Sequence, residues 1–287
     1  MQPAHHDTVL RWTEDGLRPL GPEPPPVALL AADSFLVCDG MVRGCDAHWE
    51  RFGGWCDELG FDTGVIADFR ADVTAALPRA GRWFPRVEAV SPGELETRRV
   101  RAAQPRARER SAGADGSQLR LRLRPARPAL REARVLLGPP GDPRTSPRVK
   151  GPDLELLLAL RARAVAAGMD EQMLRDGEGR LVEGALDSLF WWEGDVLWTT
   201  PAEATLPGVT RRLLLETAHE RGVPVDCRAP HPPELGGREA WLTNALHGIR
   251  VISSWGTDAV AAAAGAPARA DAWRSALDRT ARHLDGR

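Results

Sequence analysis

Residues 179–216 read GRLVEGALDSLFWWEGDVLWTTPAEATLPGVTRRLLLE. Two apolar runs, 188–192 and 195–199, flank Glu193-Gly194, the pattern of two strands joined by a tight turn. Just upstream, Asp176-Gly177-Glu178-Gly179 separates two further short strands expected near 171–175 and 180–183. Leu206-Pro207-Gly208 ends the extended pattern, and a helix is expected from about 208 to 221, with Gly222 as its stop. Strands and helices are therefore mixed and not strictly alternating, which points to an α+β or mixed-sheet α/β fold.

The rest of the chain extends this pattern in both directions. The first 26 residues end in GPEPPP and read as an extended lead-in. VALLAADSFLV (27–37) predicts a strand, and Asp39-Gly40 a turn. A helix is expected over 46–60, where Trp49, Phe52, Cys56 and Leu59 fall on one face, and a second over 66–78. Leu119 to Arg124 alternates Leu and Arg and predicts a strand with one apolar and one charged face. RARERSAGADG (106–116) before it reads as a disordered loop. The Pro- and Gly-rich stretch 138–148 reads as an interdomain connection. A helix over 153–167 follows, with Asp153 near its start and Gly168 as its stop. The stretch 240–255 is apolar, and a C-terminal helix is expected from about 268 to 284. The resulting division is a lead-in (1–26), a small α/β domain (27–137), the connection (138–148) and a large domain (149–287).

Composition narrows the chemistry. Of 38 basic residues only Lys150 is a lysine, and tyrosine is absent. No tyrosine can act as acid, base or nucleophile, and amine chemistry by a lysine must use Lys150. The net charge of −2 excludes a polycation built for nucleic acid. Segment 98–134 carries twelve arginines against Glu109, Asp115 and Glu132. It has no interleaved aromatics of the kind that stack single-stranded bases, so it reads as a solvated strand face and a loop. No apolar run is long enough to span a bilayer. No basic-then-apolar leader is visible, so a cytoplasmic location and reduced cysteines (Cys38, Cys45, Cys56, Cys227) are expected. No residues show metal-ligand spacing.

Four pieces in one order carry a resemblance: HWER (48–51), Lys150, the block quoted above, and WLTNALHGIRVI (241–252). Together they resemble the fold-type-IV pyridoxal-phosphate enzymes, the class IV aminotransferases and aminodeoxychorismate lyases, over roughly 30–285. The resemblance implies a small N-terminal α/β domain, a larger C-terminal mixed-sheet domain, a homodimer and pyridoxal 5′-phosphate as cofactor. It implies that Lys150 forms the Schiff base and then moves a proton. Glu183 is the implied carboxylate beside the pyridine nitrogen. Gly208, Val209 and Thr210 open a helix whose N–H groups suit a phosphate, and Arg51 is an implied second phosphate contact. Thr243, Asn244 and Ala245 match the loop where many relatives have Gly-Thr-Ala. Ser188 stands where the family usually has Asn, and the N-terminal block ADSFLVCDGMVRG departs from the family wording.

The substrate follows less directly. Amino acids and chorismate derivatives both carry carboxylates, so an arginine should face the pocket. Arg43, Arg120, Arg122 and Arg250 are the candidates, with His247 close by in sequence. Trp191 and Trp192 read as core. Two activities stay open: transamination of an amino acid or amino-carboxylate, or elimination of pyruvate in the manner of aminodeoxychorismate lyase. Asn244-Ala245-Leu246 leans to the second, and the frequency of transaminases in the family to the first. A non-catalytic arginine-rich binding protein is the third reading.

Overall fold

The structure is a computed structural model, and it describes residues 7–21, 26–91, 112–113, 115–256, 262–263 and 265–284. The chain forms two compact units. One comprises residues 1–127, 149–152 and 282–287, the other 128–148 and 153–281. Residues 98–111 and 114 of the arginine run 98–134, which hold most of its proposed loop, lie outside the described residues.

The smaller unit contains a five-stranded antiparallel sheet. Its strands are β1 (Thr8–Thr13), β2 (Gly16–Pro19), β3 (Leu29–Ser34), β7 (Arg86–Val90) and β8 (Gln118–Leu123), in the order β2-β1-β8-β7-β3. Short strands β4 (Val37–Cys38), β5 (Met41–Arg43) and β6 (Arg82–Trp83) belong to a second sheet. Residues 8–19, within the stretch read as an extended lead-in, thus make a hairpin. The two expected helices are α1 (Cys45–Glu58) and α2 (Thr63–Ala76). Asp62 caps α2 by accepting the Gly64 amide at 2.7 Å. Trp49, Phe52 and Cys56 of α1 are buried against Phe69 and Val73 of α2 and Leu119 and Leu121 of β8. Helical and strand periods meet in one apolar layer. The β8 reading holds, shifted by one residue: its leucines face this core and its arginines face away.

The larger unit is built on a nine-stranded mixed sheet. It comprises β9 (Glu132–Leu137), β10 (Glu171–Arg175), β11 (Leu181–Gly184), β12 (Ser188–Glu193), β13 (Val196–Thr199), β14 (Val225–Cys227), β15 (Ala240–Asn244), β16 (Gly248–Gly256) and β17 (Ala262–Ala263). The main path runs β11-β10-β9-β16-β15-β12-β13-β14, with β17 on β16. β9 pairs in parallel with β10 and β16, whereas the hairpins β12-β13 and β15-β16 are antiparallel. Helices α3 (Leu154–Ala166), α4 (Val209–Glu220) and α5 (Ala270–Asp278) complete the unit. The α+β, mixed-sheet expectation is met. The final helix is shorter than the expected 268–284. It ends at Asp278, and β18 (Ala281–His283) follows it and joins β5. No helix among the described residues is long and apolar enough to cross a membrane.

Candidate functional site

Lys150 belongs to the smaller unit although the chain on both sides of it belongs to the larger one. Its carbonyl accepts the Ala32 amide at 2.6 Å, so the segment lies along the outer edge of β3. Gly151 permits that approach. It has φ +150°, and a Cβ there would stand 2.9 Å from the Ala31 Cα. Among the described residues the Lys150 side chain has no hydrogen bond or ion pair. Burial, then the positive charge of Arg51, pushes its amine down to about 8 from an ordinary 10.5, with Asp33 opposing.

Arg51 projects from α1 one turn after His48, and both reach Asp33 on β3. Arg51 donates Nε to Asp33 Oδ2 at 2.8 Å and Nη2 to Oδ1 at 2.9 Å. His48 Nδ1 lies 2.7 Å from Oδ1. Asp33 is fully buried. Burial alone would raise its carboxyl, but Arg51 and His48 outweigh that and hold it well below the usual carboxylate range. Asp33 thereby fixes the Arg51 fork in one orientation.

In the larger unit Glu183 sits in β11, 4% exposed. Its Oε1 accepts Arg144 Nη1 and, at 3.0 Å, the Leu206 amide. Every hydrogen bond to Glu183 among the described residues falls on Oε1, so Oε2 is available to another donor. Burial pushes the carboxyl up to about 7, while Arg144 works to keep it ionised. Arg144 is held by Asp142 at 2.7 Å and by the Ala204 carbonyl at 2.9 Å. Two residues past Leu206, Gly208 precedes α4, and Val209 and Thr210 are its buried first residues. No side chain among the described residues caps this helix, and the first amides of a helix have no partner within it. A Cβ on Gly208 would lie 3.0 Å from Ser188 Oγ.

Ser188 pairs in register with Thr243, whose hydroxyl donates to the Ser188 carbonyl at 3.5 Å. Asn244 donates to Asp187 Oδ1 at 2.8 Å and accepts the His247 amide at 2.8 Å, closing the turn that contains Ala245. Glu183, Gly208, Val209, Thr210, Thr243, Asn244 and Ala245 therefore occupy one unit, linked through Leu206, Asp187 and Ser188. Arg51 and Lys150 share the other.

The substrate candidates scatter. Arg250 is buried, with Asp187 at 2.7 Å and Glu171 at 3.4 Å. His247 accepts the Leu130 amide at 3.1 Å. Arg43 lies in the small second sheet. Arg120 and Arg122 share the polar face of β8, where Arg122 donates to Glu88 at 3.2 Å. Trp191 stacks on Trp198 at 6.2 Å and Trp192 packs on Trp241 and Trp273, so both are core, as read. Sequence reasoning missed Asp33 and Arg144. No local signal marks them, because each takes its significance from a partner distant in the chain.

A model of class IV aminotransferases matches residues 30–255, and the chain belongs to that family of pyridoxal-phosphate enzymes. The branched-chain-amino-acid aminotransferase of Pseudomonas aeruginosa is 35% identical over 78 residues, 27% of this chain and 25% of that protein. The match thus covers about a quarter of the curated relative. A hypothetical aminotransferase from Mycobacterium tuberculosis, in its PLP-bound form, superposes with a TM-score of 0.71 at 17% identity, covering 96% of this chain and 98% of that one. A Legionella pneumophila protein assigned as a 4-amino-4-deoxychorismate lyase superposes with a TM-score of 0.67 at 19% identity, covering 87% and 90%. At these identities the superpositions speak for the fold. Each unit carries groups of the kind such a cofactor takes: in the smaller, an amine without a hydrogen bond among the described residues; in the larger, a buried carboxylate and a helix start that no side chain caps, preceded by a glycine.

Proposed function

We propose that this chain is an aminotransferase acting on an amino acid or amino-carboxylate, with Lys150 as the residue that binds the cofactor aldehyde. The unpartnered Lys150 amine, lowered to about 8, carries this reading. About a tenth of such an amine is neutral and nucleophilic at pH 7. Bound to the protein, pyridoxal phosphate withdraws electrons from the substrate Cα and so weakens its C–H bond. Lys150 would hold the cofactor through its amine, and the same amine, once free, would take up the proton of the substrate Cα. Glu183, whose ionised form Arg144 favours against the effect of burial, would stand as the carboxylate partner of the cofactor's ring nitrogen. Gly208, Val209 and Thr210 offer amides and a hydroxyl to the phosphate, and Arg51, aligned by Asp33, adds a cation. Thr243, Asn244 and Ala245 shape the neighbouring turn. A homodimer and a cytoplasmic location belong to the same reading.

Borohydride reduction followed by peptide mapping tests it. The reduced cofactor should be recovered on the Lys150 peptide, and Lys150→Ala should lose both the visible absorbance and the label. Retained covalent absorbance in that variant would refute the assignment. A lyase activity is the second reading, favoured by Asn244-Ala245-Leu246 and by the likeness to the Legionella protein. Pyruvate released from aminodeoxychorismate without a keto-acid acceptor would establish it in place of transamination.

A further inference from the structure

The Pro- and Gly-rich stretch 138–148 belongs to the larger unit, as do β11 and the residues that lead into α4. Within it Asp142 accepts the Arg144 amide at 3.1 Å and closes a short turn. The same carboxylate takes the Nε and Nη2 edge of the Arg144 guanidinium, at 3.0 and 2.7 Å. Nη1 is left to donate to Oε1 of Glu183, and Nη2 also donates to the Ala204 carbonyl at 2.9 Å. A planar fork held along one edge and at both tips has one orientation. Arg148 donates to the Ala202 carbonyl at 3.2 Å, so the stretch grips the turn Ala202–Ala204 at both ends. Just beyond that turn, the Leu206 amide reaches the same Glu183 oxygen that Arg144 holds.

Charge does not balance in this cluster. Two carboxylates, Asp142 and Glu183, share one buried guanidinium. No other cation among the described residues forms an ion pair with either acid. Arg211 of α4 feels the charge of Glu183, yet it donates to the Thr200 carbonyl at 2.8 Å and to Thr199 Oγ1 at 3.4 Å. Burial pushes Glu183 up to about 7, Arg144 and the Leu206 amide pull it down, and Asp142 works with burial. With Arg144 gone, one amide would be left to offset burial, and the neutral acid would prevail at neutral pH. Oε2 of Glu183 takes no hydrogen bond among the described residues, and it is the atom still short of a positive partner.

We propose that Arg144, anchored by Asp142, is a positioning residue for the cofactor's ring nitrogen: it presents Glu183 as an anion, so that the proton between the two rests on the nitrogen and not on the carboxylate. This rests on the reading of Glu183 given above. A protonated ring nitrogen supplies the positive charge that the cluster lacks and an N–H for Oε2. A neutral Glu183 would turn its own hydrogen to the nitrogen instead, and the ring would draw electrons from the substrate less strongly. The stretch that reads in sequence as a connection thereby carries a working part of the site.

The test uses the holoenzyme loaded with pyridoxal phosphate isotopically labelled at the ring nitrogen, whose NMR resonance reports whether that atom carries a proton. At neutral pH the nitrogen should be protonated in wild type and unprotonated in Arg144→Gln and in Glu183→Gln. Affinity gives a second readout. 1-Deazapyridoxal phosphate has carbon in place of the ring nitrogen and keeps the aldehyde and the phosphate. Wild type should bind pyridoxal phosphate about tenfold to a hundredfold more tightly than this analogue, the scale of a hydrogen bond to a charged group. Arg144→Gln should lose most of that preference. Arg144→Lys keeps the charge but cannot hold both carboxylates and the carbonyl, and should fall between the glutamine variant and wild type. If the glutamine variant does not fold, the lysine variant decides by the same preference. A merely structural Arg144 would weaken both compounds equally and leave the nitrogen protonated, and either result overturns the proposal. An unprotonated nitrogen in wild type overturns it as well. Borohydride labelling of wild-type Lys150 keeps the two failures apart. No label sinks the reading of the cofactor site, whereas a labelled Lys150 with a protonated nitrogen in Arg144→Gln sinks the role of Arg144 alone.

Discussion

At the scale of single residues, the most informative feature is an isolated amine. Lys150 has its charged form disfavoured by burial and by Arg51. Its folded value of about 8 lies below the ordinary 10.5, so the unfolded chain binds the extra proton between those limits. The cost of charging Lys150 in the cofactor-free fold is therefore fully present below about pH 8 and is relieved as pH rises towards 10.5. Amine-selective labelling of cofactor-free protein gives a direct readout, since the sequence offers one lysine. Peptide mapping separates it from the terminal amine. The labelling rate of Lys150 should rise with a midpoint near pH 8. Replacing Arg51 by Gln removes a neighbouring positive charge and should move that midpoint upward. A midpoint close to 10.5 in wild type would show that the amine is neither buried nor crowded by cations.

At the scale of elements, what was readable in sequence depended on whether the signal was local. α1 could be read because Trp49, Phe52 and Cys56 repeat at helical spacing, whereas α2, expected over 66–78, begins earlier, at Thr63 behind the Asp62 cap. The β12-β13 hairpin and α4 could be read from Glu193-Gly194 and Leu206-Pro207-Gly208. β9 could not. It lies among prolines, and its parallel partners β10 and β16 come later in the chain. The β1-β2 hairpin did carry a signal, Glu14-Asp15-Gly16 between alternating runs, masked by the Pro-rich stretch after it. The end of α5 was overread because β18 is specified by its partner β5 and not by its own three residues. Lys150 stood out as the one lysine of the sequence, and it, Glu183 and Gly208 became candidates through the motifs that resemble a known family. Asp33 and Arg144 did not, because register and tertiary packing supply their partners. Gly151 shows how closely one such element is fitted. Gly151→Ala would force a Cβ against the Ala31 backbone at a φ that L residues avoid, and strain of this kind costs on the order of 1–3 kcal/mol. A lower melting temperature and faster hydrogen exchange at the Ala32 amide should follow. Unaltered exchange would mean that the Lys150 segment does not depend on this contact.

At the scale of the whole molecule, the connectivity of the smaller unit is its defining property. It is assembled from residues 1–127, 149–152 and 282–287, with the larger unit's residues threaded between. β3 is an edge strand, and the Lys150 segment occupies its open side. An edge stripped of such cover presents unpaired amides and carbonyls to other chains. A fragment ending at residue 145 should therefore aggregate beyond the oligomeric state of the full chain, as light scattering coupled to gel filtration can measure. A monodisperse, folded fragment would count against this account of the edge.

The same threading has a consequence for biosynthesis. A ribosome that has finished the first 127 residues has delivered most of the smaller unit but not the segment that seals it. The Ala32 amide waits for Lys150, and β5 waits for β18. Vectorial folding of this protein thus cannot proceed by completing one unit and then the other. The nascent chain must carry the unsealed edge of β3 until the segment around Lys150 has been made, an interval in which chaperones act on exposed strands.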